Sequence, residues 1–153
     1  MIVETAGIFI VNNNLELLIA HPTHHPKTYW SITKGKMEKG ERVIDAAIRE
    51  TMEECNVDFS TAKILKYHTL APVQFKTKKK RLNAILILAS ENTQIDFDAF
   101  ELKCNSNVEP EKGGFPEMDD FKWVAINEAS TVLHESQARC LVEVKTIISK
   151  NER

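Results

Sequence analysis

The stretch Gly35 to Val57, GKMEKGERVIDAAIRETMEECNV, constrains this chain more than any other. It carries the glutamates Glu38, Glu41, Glu50, Glu53 and Glu54, and the last three stand at i, i+3 and i+4, so on a helix they share a face. Ile44, Ala47, Ile48, Thr51, Met52 and Cys55 fall on the roughly opposite side and predict a seam that packs on a sheet. Clustered carboxylates repel one another unless something positive sits among them. A hard divalent cation suits such a set, because it prefers carboxylate oxygen and water as ligands. Taken alone, an acidic face is more simply the solvated side of an ordinary amphipathic helix.

Composition narrows the partners. A chain of 153 residues with a net charge of -2 has no global attraction for nucleic acid or an anionic membrane, so any grip on an anionic substrate must be local. Cys55, Cys104 and Cys140 are odd in number and widely spaced, which argues against a disulfide framework or a zinc site and predicts reduced thiols. The N-terminus lacks a basic segment followed by an apolar run and a cleavage site, and no apolar run approaches a membrane span. A cytoplasmic protein with a single domain over residues 1–153 is expected.

Along the chain, Ile2 to Val11 predicts a strand, Asn12-Asn13-Asn14 a turn, and Leu15 to Ala20 the returning strand of a hairpin. His21 to Lys27, HPTHHPK, is a loop, since Pro22 and Pro26 interrupt regular structure. Its histidines match no helical ligand pair, and imidazole suits zinc or copper better than Mg2+. A solvated loop is the plainer reading; a loop touching base or phosphate, with His25 as the candidate, is the sharper one. Tyr29 to Ile32 predicts a short strand in which Trp30 is a core anchor or a stacking surface, the core being favoured. Gly35 and Gly40 allow tight turns and close backbone approach. Arg42 to Cys55 predicts a helix.

Beyond it, Ala62 to Leu70 and Arg81 to Ser90 predict strands, so the basic run Lys76 to Arg81, KTKKKR, lies at a hairpin tip or at strand ends. Such runs are commonly solvated turns; a polyphosphate or RNA contact through Lys78, Lys79 and Lys80 is the alternative. Phe97 to Cys104 predicts a further strand segment. Phe115 to Asp120 reads as an acidic turn before a short strand with Trp123 inward. Asn127 predicts a helix cap, and Ser136 to Lys150 an amphipathic helix with Ala138, Leu141, Val142, Val144, Ile147 and Ile148 on its apolar side.

The 35–57 stretch also resembles the Nudix hydrolase signature, G-x5-E-x7-R-E-U-x-E-E-x-G-U with U a bulky apolar residue. Gly35, Glu41, Arg49, Glu50, Glu53, Glu54 and Val57 stand at the required spacings. Thr51 replaces an aliphatic residue, a slight loss of packing, and Asn56 replaces a glycine that looks like a left-handed helix cap, where Asn is the next most tolerant residue. WSITKGKMEKGE resembles the W-x-x-P-K-G-x-x-E-x-G-E form seen in diadenosine tetraphosphate hydrolases and nucleoside triphosphate pyrophosphohydrolases, with Thr33 for the proline. FPEMDDFKW resembles the F-P-E-x-D-x-x-x-W segment of the second group.

The resemblance implies an α/β fold, the Nudix-type α/β/α sandwich with a mixed curved sheet. It implies Mg2+, with Mn2+ as the alternative, held by Glu50, Glu53, Glu54 and the backbone carbonyl of Gly35 or Lys34. Arg49 and Glu41 would orient Glu50 and Glu53 through charge-assisted hydrogen bonds. The general base is Glu50 or Glu53 from the signature, or Glu117 from a later loop, followed by Glu101. Lys34, Lys36, Trp30, His25 and Lys79 are the substrate-binding candidates. The partner is a small-molecule nucleotide: dinucleoside polyphosphates or nucleoside triphosphates first, ADP-ribose-like compounds second, because Pro72 lies at the spacing of ADP-ribose enzymes, and capped RNA third. A Nudix-fold binding or regulatory module without turnover is the competing class, and the complete acidic set counts against it. An isomerase of the isopentenyl diphosphate type is disfavoured by the short chain and by the lack of a matching Cys and Glu pair. Nudix enzymes include monomers and homodimers.

Overall fold

The computed structural model describes residues 1–59, 64–76 and 79–151. In chain order its elements are β1 (Val3–Val11), β2 (Glu16–Pro22), β3 (Thr33–Lys36), α1 (Val43–Cys55), β4 (His68–Thr69), β5 (Val73–Gln74), β6 (Lys80–Leu88), β7 (Met118–Ala125) and α2 (Glu135–Asn151), with short 3-10 turns at Ala89–Glu91, Pro110–Lys112 and Ala129–Thr131. None of the described helices is long and apolar enough to cross a membrane.

The sheet runs β4-β6-β1-β2-β7, with β3 added to β1 and β5 to β6. It is mixed: β6 lies parallel to β1 from Val3↔Lys80 to Val11↔Leu88, while the other pairings are antiparallel. The period-2 alternation of β1 and β6 serves two cores. Ile8, Ile10, Ile85 and Ile87 face one side with Ala46, Ala47 and Cys55 of α1. Phe9, Val11, Leu86 and Leu88 face the other with Cys140, Leu141, Val144 and Ile148 of α2. Helix, sheet and helix thus form the expected sandwich.

The β1–β2 hairpin is where the site begins. Asn12 builds the turn, its side-chain oxygen accepting the Asn14 and Glu16 N–H groups at 3.0 and 2.9 Å. The two strands pair at Val11↔Leu17 and then part, and β3 takes the vacated edge of β1, from Thr5↔Lys36 to Ile8↔Thr33. β2 meanwhile pairs along its other edge with β7, from Glu16↔Ala125 to Pro22↔Met118. This splay brings the ends of β2, β3 and β7 together beside α1.

Several expectations need correcting. The seam of α1 runs through Ala47, Glu50, Thr51, Glu54 and Cys55, so the acids Glu50 and Glu54 lie on the buried stripe itself, while Met52 is exposed. The packing geometry of β3 explains this, since α1 lies against β1 and β3 together. Thr51 is not a weakened packing position. It is fully buried, its hydroxyl lies 2.6 Å from the Ala47 carbonyl and 2.9 Å from the Thr33 hydroxyl, and both groups that depart from the signature form satisfy each other. Because the single Thr51 proton goes to Ala47, Thr33 is the donor in that pair.

Tyr29–Ile32 forms isolated bridges at Trp30 and Ser31 rather than a strand, held instead by buried Gln137, whose side chain accepts the Ile32 N–H at 2.9 Å and donates to Ser31 Oγ at 3.0 Å. His21 and Pro22, expected in the loop, belong to β2. Of the expected strand Ala62–Leu70, only His68–Thr69 is a strand among the described residues, and Ala62 and Lys63 lie outside them. Phe97–Cys104 is irregular, its aromatic rings Phe97 and Phe100 packing on the α1-side core instead of pairing as a strand. Asn127 caps nothing; the 3-10 turn starts after Glu128. In α2 the buried stripe is Gln137, Cys140, Leu141, Val144 and Ile148, and Val142 is 68% exposed.

Candidate active site

The acids of α1 are organised by Arg49. Its guanidinium donates to both oxygens of Glu41 at 2.9 Å, to Glu50 Oε1 at 2.8 Å, to Glu53 Oε1 at 3.4 Å and to the Lys36 carbonyl at 3.1 Å. One planar donor fork therefore ties helix α1 to the β3–α1 loop and holds Glu50 and Glu53 side by side. Glu41 in turn accepts the Glu38 N–H at 2.6 Å. The hydrogen bonds from Arg49, then the Glu38 N–H, draw the Glu41 carboxyl down to about 2.

Glu50 and Glu54 are 7% and 4% exposed, Glu53 much more open. Glu54 Oε1 accepts the Lys34 backbone N–H at 2.9 Å, which anchors the acid to β3. Burial, then the neighbouring Glu53 charge, raises Glu50 above the ordinary carboxyl range against the pull of Arg49. Burial also holds Glu54 well above that range, with the charges of Glu50 and Glu117 adding to it. Gly35 makes the arrangement sterically possible: a Cβ there would lie 2.1 Å from the Glu50 carboxyl carbon. Its backbone conformation is ordinary, so glycine is required for space. Gly40 is the opposite case, with φ +84° and nothing near its missing Cβ.

Of the α1 acids, Glu54 borders a cleft of about 480 Å3, which is also lined by Lys34, Glu117, Pro22, Thr23, His25, Tyr29, Val108 and Phe115. Glu117 is pinned from two sides, its N–H donating to the Ser106 carbonyl and its carbonyl accepting the Thr23 N–H, both at 3.0 Å. His25 and Tyr29 stack with ring centroids 5.1 Å apart, and the His24 ring meets Phe115 edge-on at 4.4 Å. A lining that combines acids and a lysine with aromatic side chains matches the two chemistries of a nucleotide: charged phosphates and a stackable base. His21, behind this wall, has its ring nitrogens 2.6 Å from Asp119 Oδ1 and 3.0 Å from the Pro26 carbonyl. Burial lowers its pKa, but the hydrogen bonds to Asp119 and Pro26 outweigh burial and raise it overall.

Of the sequence candidates, the structure brings together Glu41, Arg49, Glu50, Glu53, Glu54 and Gly35, and places Lys34, His25 and Glu117 on the adjoining cleft. It does not bring the others there. Trp30 is buried, donates to the Lys27 carbonyl at 2.9 Å and lies under the Lys122 amine, a core anchor. Lys36 lines a separate groove with Met37, Glu38 and Lys39. Lys79 stands between β5 and β6, away from the cleft lining, and Lys78 lies outside the described residues. Pro72 borders a groove with Glu4, Arg81 and Asn83 rather than the cleft, and Glu101 serves through its backbone carbonyl, which accepts from the Asn56 side chain at the C-terminal end of α1. Thr23 and Phe115 lie inside His21–Lys27 and Phe115–Asp120, segments the sequence singles out, but neither they nor Tyr29 are among the named substrate-binding candidates. The signal available was aromatic character in place: Phe115 opens the acidic turn, and Tyr29 opens the Tyr29–Ile32 segment just after the histidine loop.

The donor set suits a hard cation by type: the Glu50, Glu53 and Glu54 carboxylates and the Gly35 carbonyl would all supply oxygen, and two of the acids are buried beside like charge. Among the described residues, no three His, Cys, Asp or Glu side chains converge closely enough to hold an ion as they stand. Arg49 instead bridges Glu50 and Glu53.

The sequence model of the NUDIX domain family matches residues 1–144. No curated protein matches the chain in sequence. Among solved structures, a C. elegans Ap4A hydrolase binary complex superposes with a TM-score of 0.67 at 22% identity, covering 97% of this chain and 99% of that one. The E. coli dihydroneopterin triphosphate pyrophosphohydrolase gives 0.65 at 14% identity, with 92% of each chain covered. The NUDIX domain of Shewanella oneidensis NrtR, complexed with ADP ribose, gives 0.67 at 11% identity over 97% of this chain and 89% of that one. At these identities the likeness establishes the fold.

Proposed function

The chain belongs to the Nudix family, and we propose that this Nudix hydrolase cleaves a phosphoanhydride in a nucleoside diphosphate linked to another moiety. The observation that carries the reading is the cleft in which Glu54 and Glu117 share a wall with Lys34 and open onto His25, Tyr29 and Phe115. Glu50, Glu53, Glu54 and the Gly35 carbonyl are the residues that would hold Mg2+ or Mn2+. Such an ion, when bound, supplies positive charge that neutralises the phosphate oxygens and lowers the barrier to attack. Arg49, fixed by Glu41, orients Glu50 and Glu53 and keeps two neighbouring anions from driving each other apart. Glu117, which lines the cleft together with Glu54, takes the proton of the attacking water. Lys34 attracts the phosphate chain, and the aromatic faces of Tyr29 and His25 receive the base.

Dinucleoside polyphosphates or nucleoside triphosphates rank first as substrates, because the cleft offers aromatic surface as well as phosphate contacts. ADP-ribose-like compounds follow and capped RNA comes third, since Lys79 and the other described basic residues of the 76–81 run stand away from the cleft. Three free thiols support a cytoplasmic setting. The test is a screen with Mg2+ over nucleoside diphosphate derivatives, read by chromatography of the nucleotide products and run beside Glu53→Gln. Turnover of at least one compound by wild type and its loss in Glu53→Gln is the expected result. If both proteins are equally inert on every compound, a nucleotide-binding module without turnover becomes the better description.

A further inference from the structure

Asn56 occupies the left-handed position that ends α1, with φ 63°, and its N–H caps the helix by donating to the Met52 carbonyl. A glycine would do this equally well. The side chain does something a glycine could not. Asn56 Nδ2 donates to the Glu101 carbonyl at 2.8 Å, and its Oδ1 accepts Asn105 Nδ2 at 2.8 Å. Asn105 Nδ2 also reaches the Met52 carbonyl at 3.0 Å, and its backbone N–H donates to the Glu53 carbonyl at 2.7 Å. The last turn of α1, which carries two of the acids, is thus stitched to the irregular segment 101–106.

That segment leads directly to Glu117. The Ser106 carbonyl accepts the Glu117 N–H, and the sulfur of Cys104 accepts the Met118 N–H at 3.4 Å. Thr23 ties Glu117 to the end of β2; the Asn56–Asn105 pair ties it to α1. We propose that Asn56 and Asn105 are positioning residues, a paired-amide clamp that sets Glu117 at a fixed distance from the acids of α1. The clamp rests on the reading of Glu117 as the base, and it assigns a role to a residue that stands where the signature has glycine.

Asn56→Gly tests it cleanly, because glycine accepts the left-handed cap and removes only the side-chain bonds. Asn105→Ala removes the same pair from the other side. Both variants are expected to melt near wild type, keep KM within about twofold and lose about tenfold in kcat, since a base displaced by a fraction of an ångström loses part of the roughly hundredfold that a full ångström costs. In a Glu117→Gln background neither change is expected to lower turnover further. Glu117→Gln alone reads the base: if it turns over normally, that reading fails and the clamp falls with it. If Glu117→Gln is impaired but Asn56→Gly and Asn105→Ala match wild type, or act through KM, or reduce the Glu117→Gln rate by the same factor, the clamp is overturned while the base stands.

Discussion

Gly35→Ala isolates the steric demand at the centre of the site. The new Cβ would sit 2.1 Å from the Glu50 carboxyl carbon and 2.2 Å from both of its oxygens. Ordinary contact begins near 3.4 Å, so the carboxyl must retreat by about 1.3 Å. Glu50 is 7% exposed and bonded to Arg49 at 2.8 Å, so it has little room to move without giving up that bond. A misplacement of this size costs about a hundredfold in rate, equivalent to about 2.7 kcal/mol of transition-state stabilisation. Overpacking adds about 1–3 kcal/mol to the stability cost. Steady-state kinetics with saturating Mg2+ on the best substrate, with thermal melts alongside, measures both. Gly40→Ala is the control: its φ of +84° carries about 1–2 kcal/mol of backbone strain, but the added methyl meets nothing within 4 Å, so activity should hold near wild type. Activity in Gly35→Ala within threefold of wild type would refute the claim that catalysis needs the Glu50 carboxylate against this backbone.

The buried hydroxyl pair gives a second expectation. Thr51→Val leaves the Thr33 hydroxyl without its acceptor and should cost about 1–3 kcal/mol in denaturant melts, whereas Thr33→Val/Thr51→Val should recover part of it; additive losses would show the hydroxyls uncoupled. A third concerns acid. Because the Glu41 carboxyl is held at about 2 in the fold against 4.5 in an ordinary glutamate, its contribution is fully present above about pH 4.5 and disappears as pH falls toward 2. The stability gap between wild type and Glu41→Gln should therefore stay flat at neutral pH and close over that acid window; a gap independent of pH down to 2 would contradict the Arg49–Glu41 pairing.

The signature stretch made the α1 acids, Arg49 and Gly35 legible in sequence, because their chemistry depends on helical spacing, which sequence preserves. The direction those acids face was not legible. Glu50 and Glu54 read as an exposed face, and they lie on the buried stripe because β3, four residues inserted into the splayed edge of β1, comes up beside them. Long-range pairing of this kind leaves no local periodicity to read. Likewise Tyr29 and Phe115, far apart in sequence, line one cleft, and Gln137 fixes Ser31 and Ile32 from α2 more than a hundred residues away. Phe97–Cys104 reads as a strand segment, but its Phe97 and Phe100 rings fill the α1-side core instead of pairing with a neighbouring strand.

The buried acids imply a cost that the fold carries for function. Glu54 is nearly enclosed; the Lys34 N–H and the Lys34 charge favour its carboxylate, but burial and the charges of Glu50 and Glu117 outweigh them. Glu54→Gln keeps an oxygen for the Lys34 N–H and removes the repulsion, so with a chelator present it should melt above wild type. Added Mg2+ should reverse the order. An ion that binds only the folded protein stabilises it by RT ln(1 + [L]/Kd), about 2.7 kcal/mol at a hundredfold excess over Kd, and the glutamine variant loses most of that gain together with turnover. The informative quantity is the crossing of the two melting temperatures as Mg2+ is titrated. A Glu54→Gln protein that is less stable than wild type without metal would mean that the Glu54 charge is already compensated within the fold, and the case for a cation at these acids would lose its electrostatic basis.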